Sequence, residues 1–101
     1  MERLTRSNVV NSGVLGTQVT FELVYENAPT SVAISIYSPT LQELVNDVAM
    51  SVGDSTKYYT YEYQSSTVYP EGLYSVQVEA TFGSNIVTDV INFKLKNFNL
   101  E

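Results

Sequence analysis

Five of the chain's eight tyrosines, Tyr58, Tyr59, Tyr61, Tyr63 and Tyr69, fall within a dozen residues and are interleaved with serine and threonine. Phenol rings and hydroxyls in that mixture suit recognition, because a rigid ring supplies contact area at small entropic cost while hydroxyls adjust their hydrogen bonds. Catalysis has much less to draw on. The chain has neither His nor Cys, which removes the usual base near neutral pH, every thiol nucleophile, disulfides and the common zinc sites. A serine nucleophile would need a desolvated lysine or a carboxylate as its base. Lys57, Lys94 and Lys96 fall at strand ends or on polar faces, where water keeps them protonated. Asp47, Asp54 and Glu71 are loop acids without the clustered spacing that calcium requires. Lys94 and Asn92 share one face of a strand, which makes an isopeptide between them unfavourable. No catalytic residue, metal site or cofactor is expected, and the reading is a non-enzymatic binding or building surface.

The elements that would carry such a surface are short. The chain has 101 residues, 44% of them hydrophobic, which describes one domain over 1–101; a chain of this size hides roughly two-thirds of its unfolded surface, enough for a single core. Leu4 to Val10 reads as a weak first strand ending at Asn11-Ser12-Gly13. Val19, Phe21, Leu23 and Tyr25 alternate with polar residues, as do Val32, Ile34 and Ile36, which is the period of two that a half-buried strand needs. Leu41 to Val52 is ambiguous: Leu41, Leu44, Val45 and Val48 have helical spacing, whereas Val48, Met50 and Val52 alternate. A turn leading into a strand is favoured there.

Past Gly53-Asp54-Ser55, the inward set is Tyr59, Tyr61 and Tyr63, which leaves Tyr58, Tyr69 and Tyr37 as exposed contact candidates. Tyr74, Val76, Val78, Ala80 and Phe82 form the cleanest apolar face, and Gly83-Ser84-Asn85 suggests a hairpin loop. In the last strand, Ile86 to Leu95, the inward set Ile91, Phe93 and Leu95 extrapolates backwards onto Asp89, so a bulge is expected between Thr88 and Val90. The sum is an all-β fold, an immunoglobulin-like antiparallel β-sandwich of about seven strands, with an antiparallel barrel as the alternative.

Charge divides the chain. The formal net charge is −6, yet between Ser7 and Phe93 nine acids face Lys57 alone, while Arg3 and Arg6 open the chain and Lys94 and Lys96 lie near its close. An acidic body repels nucleic acid. The uninterrupted apolar runs are only a few residues, and the first residues lack the apolar stretch of a secretory signal, so neither membrane nor export is expected. Residues 1–12 and 96–101 read as short arms. Arg3, Leu4, Arg6, Phe98 and Leu100 put apolar groups beside cations, the composition of a segment that docks by strand addition to a protein partner or a further copy of the chain.

Ala28-Pro29-Thr30-Ser31-Val32-Ala33-Ile34-Ser35-Ile36-Tyr37-Ser38-Pro39, Tyr59-Thr60-Tyr61-Glu62-Tyr63 and Glu71-Gly72-Leu73-Tyr74-Ser75-Val76-Gln77-Val78-Glu79-Ala80 together resemble small Ig-like domains of tailed-phage virion proteins and, more distantly, bacterial fibronectin-type modules. The resemblance covers about residues 17 to 95. It implies a capsid decoration, head-to-tail accessory or tail-fibre role, with a capsid, portal, tail or neighbouring subunit as partner, in a virion assembled in the host cytoplasm. Tyr74 resembles the tyrosine corner of Ig-like sandwiches, which pins a crossover through its hydroxyl. Two other roles compete: a carbohydrate-binding module and a spacer or adhesion domain, each as part of a larger bacterial surface protein.

Overall fold

A computed structural model describes residues 4–97. Eight strands run in order: β1 (Leu4–Val10), β2 (Gln18–Tyr25), β3 (Ser31–Tyr37), β4 (Glu43–Ala49), β5 (Ser51–Val52), β6 (Tyr58–Gln64), β7 (Gly72–Phe82) and β8 (Asn85–Leu95). They form two four-stranded sheets, ordered β1-β2-β6-β5 and β4-β3-β7-β8, with every strand pair antiparallel. This is the A-B-E-D and C′-C-F-G arrangement of an immunoglobulin-like sandwich. It has eight strands where about seven are expected, because the Leu41 to Val52 stretch supplies two.

Period-two patterning builds the core. Val19, Phe21, Leu23 and Tyr25 of β2 face Val32, Ile34 and Ile36 of β3 and Tyr74, Val76, Val78, Ala80 and Phe82 of β7 across the gap between the sheets, all of them buried. Phe93 of β8 joins the two layers: its ring stacks on Tyr74, with centroids 5.4 Å apart, and meets Phe21 edge-on at 5.3 Å. Tyr25 makes edge contacts with Tyr59 and Phe82. Tyr59 and Tyr63 point inward as their alternation requires, and Tyr61 packs against the same core.

The Tyr74 hydroxyl donates to the carbonyl oxygen of Pro70 at 2.8 Å, the bond that the tyrosine corner demands. It holds the loop between β6 and β7 against the first residues of β7. Ser65 closes the same pole from the other sheet: its hydroxyl donates to the Thr17 carbonyl at 2.6 Å and accepts from the Gly16 N–H at 2.9 Å.

Two departures from the sequence reading concern edges. The ladder between β7 and β8 runs in one unbroken register from Phe82 opposite Asn85 to Gly72 opposite Leu95, so the bulge expected at Thr88 to Val90 is absent and Asp89 points inward. The hairpin loop is also shorter than expected. It contains only Gly83 and Ser84, with Gly83 at φ 63°, and a two-residue loop fixes the register of everything after it. Within this sheet the irregularities lie instead in β4, which shifts register twice against β3. Asp47 takes φ 50° there, and its N–H donates to the Ser35 hydroxyl at 2.9 Å. Doubled residues at two places in one strand explain the helix-like spacing of Leu41, Leu44, Val45 and Val48. Among the described residues there is no helix. At Met50, whose N–H donates to the Val32 carbonyl, the chain leaves one sheet and begins β5 in the other.

Candidate functional site

The three tyrosines expected as exposed contacts are all half-buried and lie apart. Tyr58 opens β6 on the outer face of the β1-β2-β6-β5 sheet. Its hydroxyl donates to Glu22 Oε2 at 3.0 Å, while Asn8 Nδ2 donates to Glu22 Oε1 at 3.3 Å. The ring lies so close over Gly53 that any Cβ at that position would run into it, which is why the turn before β6 needs a glycine. The hydrogen bond to Glu22, then burial, hold the Tyr58 phenol above its ordinary pKa, and the positive field of Arg6 partly opposes them. Tyr37 ends β3 on the outer face of the other sheet, where its hydroxyl donates to Glu43 at 3.3 Å. Tyr69 lies in the loop between β6 and β7, at the pole opposite Tyr58, near Tyr63 and Tyr74. No single surface gathers the three. Burial was underestimated because it depends on cross-strand neighbours, which only the register between β2 and β6 reveals.

The arm residues divide similarly. Leu4 and Arg6 belong to β1, a seven-residue edge strand paired with β2; over these residues the N-terminal segment is part of the sandwich and not a free arm. Leu4 opposes Tyr25 and packs on the core, while Arg6 is exposed opposite Val24. Arg3, Phe98 and Leu100 lie outside the described residues. Leu4 is at the pole that carries the β2–β3 and β7–β8 loops, and Lys96 is at the other, where its N–H donates to Gly13 and its carbonyl accepts from Leu15, both at 2.8 Å. The two ends of the described chain therefore leave from opposite poles of a body 49 Å long, 25 Å wide and 17 Å deep.

Sequence reasoning passed over the edge of β8. Once Asp89 keeps its inward phase, Ile86, Thr88, Val90, Asn92 and Lys94 face outward, and Ile86 and Val90 are each about two-thirds exposed, at 66% and 67%. The signal was present in the strict alternation from Ile86 to Leu95 and was masked by the bulge expected between Thr88 and Val90 to keep Asp89 from pointing inward. Asp89 Oδ2 is buried without a hydrogen-bond partner, as is the Tyr25 hydroxyl. Burial first, then the Asp89 carboxylate and Tyr59, push the Tyr25 phenol far up.

Burial likewise raises Tyr74, and it pushes Tyr63 up to about 12. At neutral pH these phenols stay protonated, so they act as hydrogen-bond donors and ring surfaces and not as phenolate nucleophiles. Among the described residues no group of three or more His, Cys, Asp or Glu side chains is placed to hold a metal ion. Nor is any helix among them long and apolar enough to cross a membrane. What the geometry offers is polar recognition at Arg6, Asn8, Glu22 and Tyr58, and strand pairing along β8. A scan against known protein families and a search of curated proteins return no match for this chain.

Proposed function

We propose that this chain is a non-enzymatic structural and interaction domain, a virion component of a tailed phage that decorates the capsid or completes the head-to-tail junction. The observation that carries the reading is polar geometry: the ends of the described chain, with Arg6 near one and Lys94 and Lys96 near the other, lie at opposite poles of an Ig-like sandwich whose longest extent is 49 Å. Such a body works as a spacer whose ends attach to different neighbours, and repeated copies around a particle let weak contacts sum. Deleting Phe98 to Glu101 removes one attachment end without touching the described sandwich. The deleted chain is expected to fold, by circular dichroism, and to stop co-sedimenting with megadalton particles in a lysate of the source. Undiminished co-sedimentation of the deleted chain removes the role of that end, and a full-length chain that never travels with particles removes the virion reading.

A second reading, a carbohydrate-binding module of a bacterial surface protein, is favoured by the outer face around Tyr58. There a ring lies beside the amide of Asn8 and the carboxylate of Glu22, the groups that stack on a sugar and bond its hydroxyls. Tyr58→Ala is then expected to abolish binding to immobilised glycans in a chain that still folds by circular dichroism, at some cost in melting temperature because the ring packs over Gly53 and bonds Glu22; equal binding by both proteins removes this reading.

A further inference from the structure

The two sheets have four edges, and three of them are blunted. β1 carries a register shift between Leu4 and Arg6, β4 carries two, and β5 is two residues long. Bulges and shortness are the ordinary ways a protein stops a strand edge from pairing with another chain. β8 has neither. Its eleven residues pair with β7 without interruption.

The hairpin dictates which of its main-chain groups are free. In a two-residue hairpin the closing pair, here Phe82 and Asn85, exchanges both of its hydrogen bonds, and bonded pairs then recur at every second residue. Asn85, Val87, Asp89, Ile91, Phe93 and Leu95 therefore turn their N–H and C=O groups towards β7. Ile86, Thr88, Val90, Asn92 and Lys94 turn theirs outward. Lys96 confirms the phase, since its outward N–H and C=O are the groups taken by Gly13 and Leu15. The open stretch of edge thus runs from Ile86 to Lys94, bounded by the Gly83-Ser84 turn on one side and the Gly13 to Leu15 segment on the other. No other strand among the described residues pairs with it.

We infer that this edge pairs antiparallel with β8 of a second copy of the same chain, joining two four-stranded sheets across a two-fold axis at Val90. A second copy fits because the open stretch is symmetric about its own centre. Antiparallel pairing about Val90 sets Val90 on its counterpart, Thr88 beside Asn92 of the other copy, and Ile86 beside the aliphatic stem of Lys94. It satisfies all five outward residues of both strands with about ten main-chain hydrogen bonds. Sliding the strands towards the turn strands part of the edge unpaired. Sliding them the other way meets Lys96, whose groups are already taken. The apolar side chains that the fold leaves most exposed on β8, Ile86 and Val90, are the ones that such a contact covers.

Asp89 sets its strength. An inward acid on an edge strand resists sealing of that edge, and the pairing brings Asp89 beside Ile91 of the other copy. The contact is therefore small and reversible, at the low end of interface sizes. It requires nothing of the virion reading and holds for either proposed function.

The purified 101-residue chain is examined by sedimentation velocity from micromolar to millimolar concentration. The expected result is a concentration-dependent monomer–dimer equilibrium. Val90→Lys places two cations face to face on the axis, and like charges directly opposite are destabilising, so the dimer dissociation constant is expected to rise about fivefold. The side chain points to solvent and takes no part in the core, so the fold is kept. A single introduced cysteine supplies the second measurement, since the chain has none. In Val90→Cys the two Cα atoms of a bonded pair lie about 5.5 Å apart, inside the disulfide range, and mild oxidation is expected to cross-link it rapidly. Val52→Cys, exposed on β5, remains uncross-linked. A chain that stays monomeric throughout, a dimer untouched by Val90→Lys, or equal cross-linking at both positions overturns the inference.

Discussion

β4 and β8 are the two edges of one sheet, and they solve the edge problem in opposite ways. β4 pairs with β3 through two register shifts, puts Asp47 at positive φ, and hands the chain to the other sheet after Ala49. Its side chains lose contact with the core on the way: Val45 is buried, but Val48 is 41% exposed. β8 keeps one phase for eleven residues behind a two-residue turn, buries Phe93 and Leu95, and accepts an inward carboxylate at Asp89. Irregularity protects the first edge. Regularity leaves the second both more firmly anchored in the core and more open to a neighbour.

The largest way to break that comparison is to remove the anchor. Phe93→Ala takes away a ring packed on Tyr74 and Phe21, and truncations of this kind cost about 3–5 kcal/mol. Val48→Ala on β4 is expected to change stability by no more than about 0.5 kcal/mol, as at other surface positions. Urea denaturation of the two variants measures both. Similar losses would show that β4 shares the core after all.

A second, pH-driven effect falls on the β8 side. Tyr25, beside Asp89, and Tyr63 have phenol pKa values raised above the ordinary 10, Tyr63 to about 12, with burial as the first cause in each. A raised pKa means that the folded state holds the proton more tightly than the unfolded chain. The corresponding stability is fully present below pH 10 and is lost as pH rises from 10 through the folded values. Thermal melts are therefore expected to be flat up to pH 10 and to fall steeply between 10 and 12. Asp89→Asn removes one of the charges opposing ionisation of Tyr25, so the ultraviolet titration of that phenol moves to lower pH. An unshifted titration would mean that Asp89 and Tyr25 do not sense one another.

Most of the sandwich was legible in the sequence, and the two edges show where legibility stops. β2, β3 and β7 are buried on one face along their whole length, so their alternation survives in the residues and yields the inward set, while the tyrosine corner at Tyr74 was legible only through the resemblance to Ig-like sandwiches. Alternation fails as a guide where one strand carries extra residues. The doubled positions of β4 turn a period of two into the helix-like spacing of Leu41, Leu44, Val45 and Val48. In β8 the period was intact, and the signal was lost by preferring a bulge to an inward acid: Asp89 keeps the phase of the strand although its Oδ2 is buried without a hydrogen-bond partner, a cost that the two-residue turn imposes by fixing the register. The candidate contacts were harder still. The partners of Tyr58 are Glu22, thirty-six residues away, and the bare backbone of Gly53, and neither proximity has a signature before β2 and β6 are put in register.

The smallest expected effect contrasts the backbone of the loops that feed the two edges. Leu41, in the loop before β4, holds φ 68° with its side chain 75% exposed; Gly83, in the turn before β8, holds φ 63° with open space where a Cβ would be. A left-handed conformation costs an L-residue about 1–2 kcal/mol, while glycine loses about 0.5–1 kcal/mol more conformational entropy on folding than alanine. Leu41→Gly is therefore expected to stabilise the protein by about 0.5–1 kcal/mol, because little buried surface is given up in exchange. Gly83→Ala, the same comparison reversed, destabilises by a similar amount, since nothing but backbone strain is introduced. Opposite shifts of the urea midpoint are the expected result. A loss at Leu41→Gly would mean that this exposed side chain makes a contact that the strain serves, and would move attention from the open edge of β8 to the loop that leads into β4.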